Sequence, residues 1–244
     1  MTAIETVGLT KRFGDLEALA DLSLTVPEGE LFALLGPNGS GKTTTIEILT
    51  GQLEPSAGTA SVLGHDPVSD PLAVRRAVGI LPEREDPPSF LTPREYLEFV
   101  GTVRNLPDVT EQIDEWAERF EFREKLDTLA TDLSEGERQR VMLAAAFVHE
   151  PDLVFIDEPL VNLDPLMQEQ IKGHFREYCE RGNTVFLSTH FIEVADELCT
   201  QVAIVSDGRL VAECNPQELD DERLLDVFRA EVGATEPATQ QVSD

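Results

Sequence analysis

The stretch Glu30–Thr44, ELFALLGPNGSGKTT, limits what this chain can become more than any other. An apolar run, Leu31–Leu35, ends in a glycine loop, followed by a lysine, two threonines and an amphipathic segment. That order reads as strand, loop and helix, with G-x-x-x-x-G-K-[S/T] running from Gly36 to Thr43. A phosphate chain needs several convergent backbone N–H donors at close range. Gly36, Gly39 and Gly41, with Pro37, Asn38 and Ser40 between them, let the backbone curl into such a nest. The loop opens onto a helix N-terminus, where the dipole and the unpaired N–H groups favour an anion. From there Lys42 reaches the outer phosphates, the Thr43 hydroxyl ligates Mg²⁺, and Thr44 completes the loop. A plain glycine-rich turn is the competing reading. A four-position match in the right strand–helix context outweighs it.

Periodicity places the other elements around this loop. Thr2–Leu9 alternates like a strand, with Lys11-Arg12-Phe13-Gly14 as its closing turn, and Leu16–Val26 reads as a strand pair broken near Ala20-Asp21. Lys42–Thr50 is helical, with Gly51 as its C-terminal cap. Thr59–Leu63 and Val78–Leu81 are strands. After Pro82 the character changes: Arg84-Glu85-Asp86-Pro87-Pro88 is a polar surface loop, and helix then dominates. Thr92-Pro93-Arg94-Glu95 is a capping box, Thr110–Phe122 a second helix carrying Trp116, and Ser134–His149 a third. The α/β pattern resumes at Leu153–Asp157. Asp164-Pro165 caps a helix towards Arg181-Gly182, Thr184–Ser188 is a buried strand, and Phe191–Leu198 a short helix. Gln201–Val205 and Arg209–Glu213 form a hairpin around Asp207-Gly208. Asn215-Pro216 starts a terminal helical region. Cys179, Cys199 and Cys214 lack C-x-x-C spacing and read as free, mostly buried thiols; His65, His149 and His174 read as surface or packing residues.

A loop that binds a triphosphate and Mg²⁺ needs a carboxylate at the end of a neighbouring strand. Asp157 supplies it, and the strand Leu31–Leu35 is expected to lie beside the one ending there, placing Thr43 and Asp157 around one cation. Glu158 follows directly, where it can orient and deprotonate an attacking water. Two acids at a strand end are common in an acidic chain; the upstream loop gives these two their meaning. Leu133-Ser134-Glu135-Gly136-Glu137 contains a capping box, Ser134-x-x-Glu137, and its serine hydroxyl beside Gly136 at a helix start is also a second anion site. Two phosphate-facing sites in one chain suggest two chains sharing nucleotides.

In this order the motifs resemble the ATP-binding subunit of the ABC (ATP-binding cassette) family, over roughly Phe13 to Gly208. Gly36–Thr43 resembles Walker A, Leu153–Glu158 Walker B, Leu133–Glu137 the LSGGQ signature, Asn162-Leu163-Asp164 the D-loop and His190 the switch histidine. The resemblance implies an α/β fold: a P-loop NTPase (RecA-like) core with an antiparallel β subdomain and an inserted α-helical subdomain. It implies one domain over 1–232, with core and β subdomain at 1–83 and 150–213, the helical subdomain at 84–149 and a C-terminal helical region at 214–232. Residues 233–244 are expected to be a disordered tail. ATP and Mg²⁺ are the implied ligands, with Phe13 stacking on adenine. Ser134 and Gly136 would contact the γ-phosphate in trans, Asp164 would help form the contact between subunits, and His190 would hold the γ-phosphate, water and Glu158 in place. Lys42, Glu158 and His190 are thus the candidate catalytic residues, and Thr43 and Asp157 the metal ligands. Where the family usually has a glutamine on the metal and water, this chain has Glu83, which the resemblance makes a further cation ligand although its charge opposes nearby phosphates. Glu135 and Glu137 stand for a glycine and a glutamine of the signature and are expected to turn aside from phosphate.

Thr43-Thr44-Thr45-Ile46, Leu49-Thr50-Gly51 and Ser61–Asp66 resemble the branch serving two-component (ABC-2-like) exporters. The implied partners are a second ATPase subunit, in a homodimer or heterodimer, and a separate membrane permease docking on the helical subdomain with its Pro87-Pro88 loop. The chain would then be cytoplasmic and peripheral on the inner face of the cell membrane. A soluble ABC ATPase of metal-cluster assembly and a non-hydrolysing regulator are the alternatives.

Composition bears on the setting. No apolar run approaches bilayer length and MTAIETVGLT lacks a signal-peptide pattern, so a soluble, intracellular chain is expected. Asp and Glu number 47 against 19 Lys and Arg, a net charge of -28 spread along the chain. No basic patch is visible, which argues against nucleic acid as a partner. Such a balance suits a salt-rich cytoplasm, where screening removes most self-repulsion and hydrated carboxylates keep the protein soluble. The expected outcome is a higher melting temperature in multimolar KCl than in low salt; greatest stability in low salt would contradict this halophilic reading.

Overall fold

The computed structural model describes residues 1–83, 86–160, 163–219 and 223–233. Two long strands open the chain, β1 (Thr2–Phe13) and β2 (Leu16–Pro27), paired antiparallel. β3 (Leu31–Leu35) and α1 (Lys42–Leu49) follow, then β4 (Ala57–Val62), which pairs with the other edge of β1 to give a three-stranded sheet of order β2-β1-β4. After α2 (Pro71–Ala77) and β5 (Val78–Leu81) come three helices, α3 (Pro93–Val103), α4 (Thr110–Arg119) and α5 (Glu135–Phe147). The sheet pattern then resumes with β6 (Leu153–Asp157), α6 (Pro165–Glu180), β7 (Thr184–Thr189), α7 (Ile192–Leu198), β8 (Gln201–Ser206) and β9 (Arg209–Cys214), before α8 (Leu224–Gly233). The second sheet has the order β5-β6-β7-β3-β8-β9, parallel except for β9.

Alternate residues of the parallel strands enter two different cores. Leu31, Ala33, Leu35, Val154, Ile156, Val185 and Leu187 pack on the side of the helical subdomain and α6. Phe32, Leu34, Leu153, Phe155 and Phe186 pack on the side of α1 and the antiparallel sheet. Burial on both faces explains why these strands read as continuous apolar runs, and each fully buried large side chain contributes about 1.5–3 kcal/mol.

Several expectations need correction. β3 does not lie beside β6, because β7 runs between them. All three are short, wholly buried apolar runs, so nothing in their pattern distinguishes neighbours; the crossovers set the order. Leu16–Val26 is part of one strand, not a broken pair: Asp21 takes a left-handed φ of 61° at a register shift against β1, a bulge that mimics a break in the sequence. Lys11, Arg12 and Phe13 extend β1 rather than close it, and the turn falls at Gly14–Asp15. α2 was not anticipated; it is seven residues long, with Asp70 capping the Ala73 N–H at 3.2 Å. Of the tail, only Gly233 lies within the described residues, as the last residue of α8. Arg84, Glu85 and Asn162 also lie outside the described residues.

The helical subdomain is pinned to α6 by an aromatic cluster. His174 on α6 sits edge-on to Trp116, Phe120 and Phe147, with ring centroids 4.8, 5.6 and 5.1 Å away. The Arg119 guanidinium donates to His174 Nδ1 at 2.8 Å, so the neutral ring carries its proton on Nε2, which has no hydrogen-bond partner among the described residues. Burial, helped by the charges of Arg119 and Arg181, lowers the His174 pKa from 6.5 to about 3. Burial and the charge of Arg104 lower that of His149 to about 4. Between these values and 6.5 the unfolded chain binds protons at both rings that the folded chain does not, so stability falls as pH is lowered through that window. Urea titrations at several pH values should show this slope, shallower in His174→Phe; an unchanged slope in that variant would contradict the assignment.

Candidate active site

The carboxyl ends of β3, β6 and β7 lie side by side, the place where a parallel sheet presents loops to a ligand. From β3 the chain turns into the loop Gly36–Gly41. A Cβ on Gly36 would stand 2.3 Å from the Val205 carbonyl oxygen, so the close approach there admits only glycine. Gly39 and Gly41 have φ of +83° and +101°, the left-handed region. No side chain caps the start of α1, which leaves its first N–H groups for the loop's ligand. Lys42 curls back to donate to the Gly36 and Pro37 carbonyls at 2.8 and 3.2 Å. Burial lowers the pKa of this ammonium, opposed by the charges of Glu158, Asp157 and Glu83.

β6 delivers the acids. Asp157 Oδ2 accepts from the Thr43 hydroxyl at 2.8 Å, and Oδ1 from the Ser188 hydroxyl at the end of β7. Thr43 and Asp157 therefore meet as expected, with β7 between their strands. Glu158 turns out of the strand with a left-handed φ of 52° and is 7% exposed. Its Oε1 accepts from the His190 backbone N–H at 3.0 Å and from His190 Nδ1 at 2.6 Å; its Oε2 accepts from the Thr189 hydroxyl at 3.1 Å. Bonding to a carboxylate places the imidazole proton on Nδ1, so a neutral His190 offers Nε2 as an acceptor.

These groups line a cleft of about 1050 Å³. One wall carries Phe13, Leu16 and Ala18; the Phe13 ring is 48% exposed, with Lys11 Nζ 5.1 Å from its centroid. Asn38, Gly39 and Gly41–Thr44 line the cleft with Asp157, Glu158 and His190, as do Glu83, Glu135 and Arg138. Ser40 Oγ is buried and without a hydrogen-bond partner among the described residues, an unmet polar atom inside the loop. Lysine, hydroxyl and carboxylate side by side, beside uncapped N–H groups, fit a triphosphate with its divalent cation.

Ser134 and Gly136 are not in this cleft. Ser134 is the exposed N-cap of α5: its hydroxyl accepts from the Glu137 N–H at 3.3 Å, while the Glu137 carboxylate accepts from the Ser134 N–H at 2.8 Å and pairs with Lys125 at 3.2 Å. The Glu137 carboxylate thus bonds back to its own helix start, whereas Glu135 lines the cleft of its own chain. Asp164 caps α6, accepting from the Leu166 and Met167 N–H groups. Sequence reasoning passed over Ser188 and Thr189 as site residues. Their signal was two hydroxyls ending an otherwise apolar strand, TVFLST. It also passed over Arg138, whose Nε donates to Asp86 at 3.0 Å.

The profile of the ABC transporter family matches residues 19–161. The chain belongs to the ABC transporter family. It is similar to the daunorubicin/doxorubicin resistance ATP-binding protein DrrA of Streptomyces peucetius, 37% identical over 93% of this chain and 69% of that protein. It is 35% identical to the Nod factor export ATP-binding protein I of Rhizobium meliloti, over 91% of this chain and 67% of that one. Among solved structures, an ATP-binding subunit of an ABC transporter superposes with a TM-score of 0.84 at 30% identity, covering 95% of this chain and 96% of that one. As an ABC ATP-binding subunit the chain is a transport ATPase, and these relatives do not favour metal-cluster assembly or a non-hydrolysing regulator.

Proposed function

We propose that this ABC ATPase works as one of a pair of subunits that drive a separate membrane permease in export, with Glu158 as the base of hydrolysis. The observation that carries the chemistry is the meeting of Lys42, Thr43, Asp157, Glu158 and His190 in one cleft. The export direction rests on relatives named for drug resistance and Nod factor export.

Lys42 and the loop N–H groups hold the phosphates and spread the charge that develops on them. Thr43 and Asp157 would hold Mg²⁺, and Glu83, which lines the same cleft and adds to the field at Lys42, is a further candidate ligand. Bound there, the cation neutralises phosphate oxygens. Glu158 takes a proton from water as the water oxygen bonds to the γ-phosphorus and the bond to the ADP oxygen breaks. His190 holds the carboxylate in place through Oε1. Phe13, with Leu16 and Ala18, offers the apolar wall for the base.

Pairing of subunits is supported by the exposed Ser134 N-cap and by Gly136, which do not line the chain's own cleft; the Ser134 hydroxyl, an acceptor in the capping box, keeps its proton for another chain's phosphate. Asp164, the N-cap of α6, is the residue assigned in this reading to the contact between subunits. A solved ABC cassette at 24% identity, TM-score 0.77, is a dimer with ADP and Pi. No helix of the described residues is long and apolar enough to cross a membrane. Phe90, 76% exposed, with Phe99 and Val103 on α3, gives the helical subdomain apolar surface for the permease. Glu158→Gln should bind ATP with near wild-type affinity while turnover falls by about 10²–10⁴-fold, and its ATP-loaded form should be dimeric by light scattering. Retained turnover would contradict the assignment of the base.

A further inference from the structure

Thr189 lies between two groups that fix the direction of its hydroxyl. It is 1% exposed. Its Oγ1 accepts from the Phe191 N–H at 3.1 Å, two residues on, and is 3.1 Å from Glu158 Oε2. A backbone N–H can only donate, so the hydroxyl proton is left for the carboxylate. Glu158 then has three donors among the described residues: the His190 N–H and Nδ1–H on Oε1, and the Thr189 hydroxyl on Oε2. An ionised carboxylate has about four acceptor positions. Both of those on Oε1 are filled, and one remains, on Oε2.

From this arrangement we propose that Thr189 is a positioning residue for hydrolysis, which turns the Glu158 carboxylate so that the open acceptor position of Oε2 takes the proton of the attacking water. The inference rests on reading Glu158 as the base and adds the residue that selects its working oxygen. His190 alone cannot do this. Both its bonds go to Oε1, and a carboxylate held at one oxygen can still swing the other about that hold. The Thr189 hydroxyl is the second point of attachment. It reaches Glu158 from the adjacent strand β7, so the carboxylate is set by the sheet itself rather than by a loop. The backbone of Glu158, at a φ of 52° that is uncommon for a non-glycine residue, is held separately by its N–H to the Ser188 carbonyl at 3.0 Å.

The test is steady-state ATPase kinetics on the full chain with Mg-ATP, for wild type, Thr189→Val, Thr189→Ser and Glu158→Gln, with melting curves for each. Valine keeps the branched shape and loses the hydroxyl; serine keeps the hydroxyl. Misplacing a reacting group by about an ångström costs on the order of 10²-fold, so Thr189→Val should lose about 10- to 100-fold in kcat with KM for ATP nearly unchanged. Thr189→Ser should stay close to wild type. A Thr189→Val enzyme with wild-type kcat, or a Thr189→Ser enzyme as slow as Thr189→Val, would overturn the proposal. So would a loss confined to KM. Should Thr189→Val fail to fold, Thr189→Ala reads the same loss of hydroxyl, and the serine comparison stands. If instead Glu158→Gln keeps wild-type turnover, the base has been misassigned, and the role of Thr189 falls with it; that result is distinct from an inert Glu158→Gln beside an active Thr189→Val.

Discussion

Parallel pairing puts Asp157 opposite Ser188 and, one strand further on, Leu35 opposite Thr189. Nearly every contact of the site follows from this register. The Asp157 carboxylate meets Ser188 because they are paired residues. Glu158, one step beyond, meets Thr189 and His190, and its N–H donates to the Ser188 carbonyl at 3.0 Å. The loop after Leu35 starts level with Thr189, whose carbonyl accepts from the Gly36 N–H at 3.2 Å. A slip of one residue would turn each of these side chains to the opposite face of the sheet. The two cores guard against this slip, since Ile156 and Phe155 would have to exchange environments.

The same geometry concentrates charge. Lys42 is buried near Asp157 and Glu158, with Glu83 adding to the field. Burial lowers the pKa of the ammonium, and the same acids that serve the reaction offset part of that shift. Lys42 spends its donors on the Gly36 and Pro37 carbonyls, Thr43 donates to Asp157, and Thr189 and His190 donate to Glu158. The polar groups hold one another in the positions that phosphate, cation and water require. Such preorganisation is what lets fixed dipoles lower a barrier without reorganising during the reaction.

Much of this was legible in the sequence, because the chemistry of phosphate binding is local. The loop Gly36–Thr43, the capping boxes at Thr92 and Ser134 and the acids at 157 and 158 each depend on a few adjacent residues, and those readings needed no tertiary information. What could not be read depends on lateral placement. Leu31–Leu35, Leu153–Ile156 and Val185–Leu187 are alike in composition and burial, so the sequence does not say that β7 separates the other two. Ser188 and Thr189 acquire their meaning only from that separation. Asp21 misled for a different reason: a bulge and a strand break look the same in sequence when a polar residue interrupts an apolar run. His174 lies in a helix with no pattern to mark its partners, since Trp116, Phe120 and Phe147 come from other elements.

The cleft holds the acids and the lysine, while the exposed Ser134 N-cap is not among its lining residues. In the proposed pair, two chains complete each other's sites. Mixing Lys42→Ala chains with Ser134→Phe chains tests this most directly, by ATPase rate. In a mixed pair one site carries both defects and the other carries neither. The mixture should regain turnover that neither variant has alone. Two folded variants that stay inactive after mixing, or a Ser134→Phe chain that is fully active by itself, would contradict it.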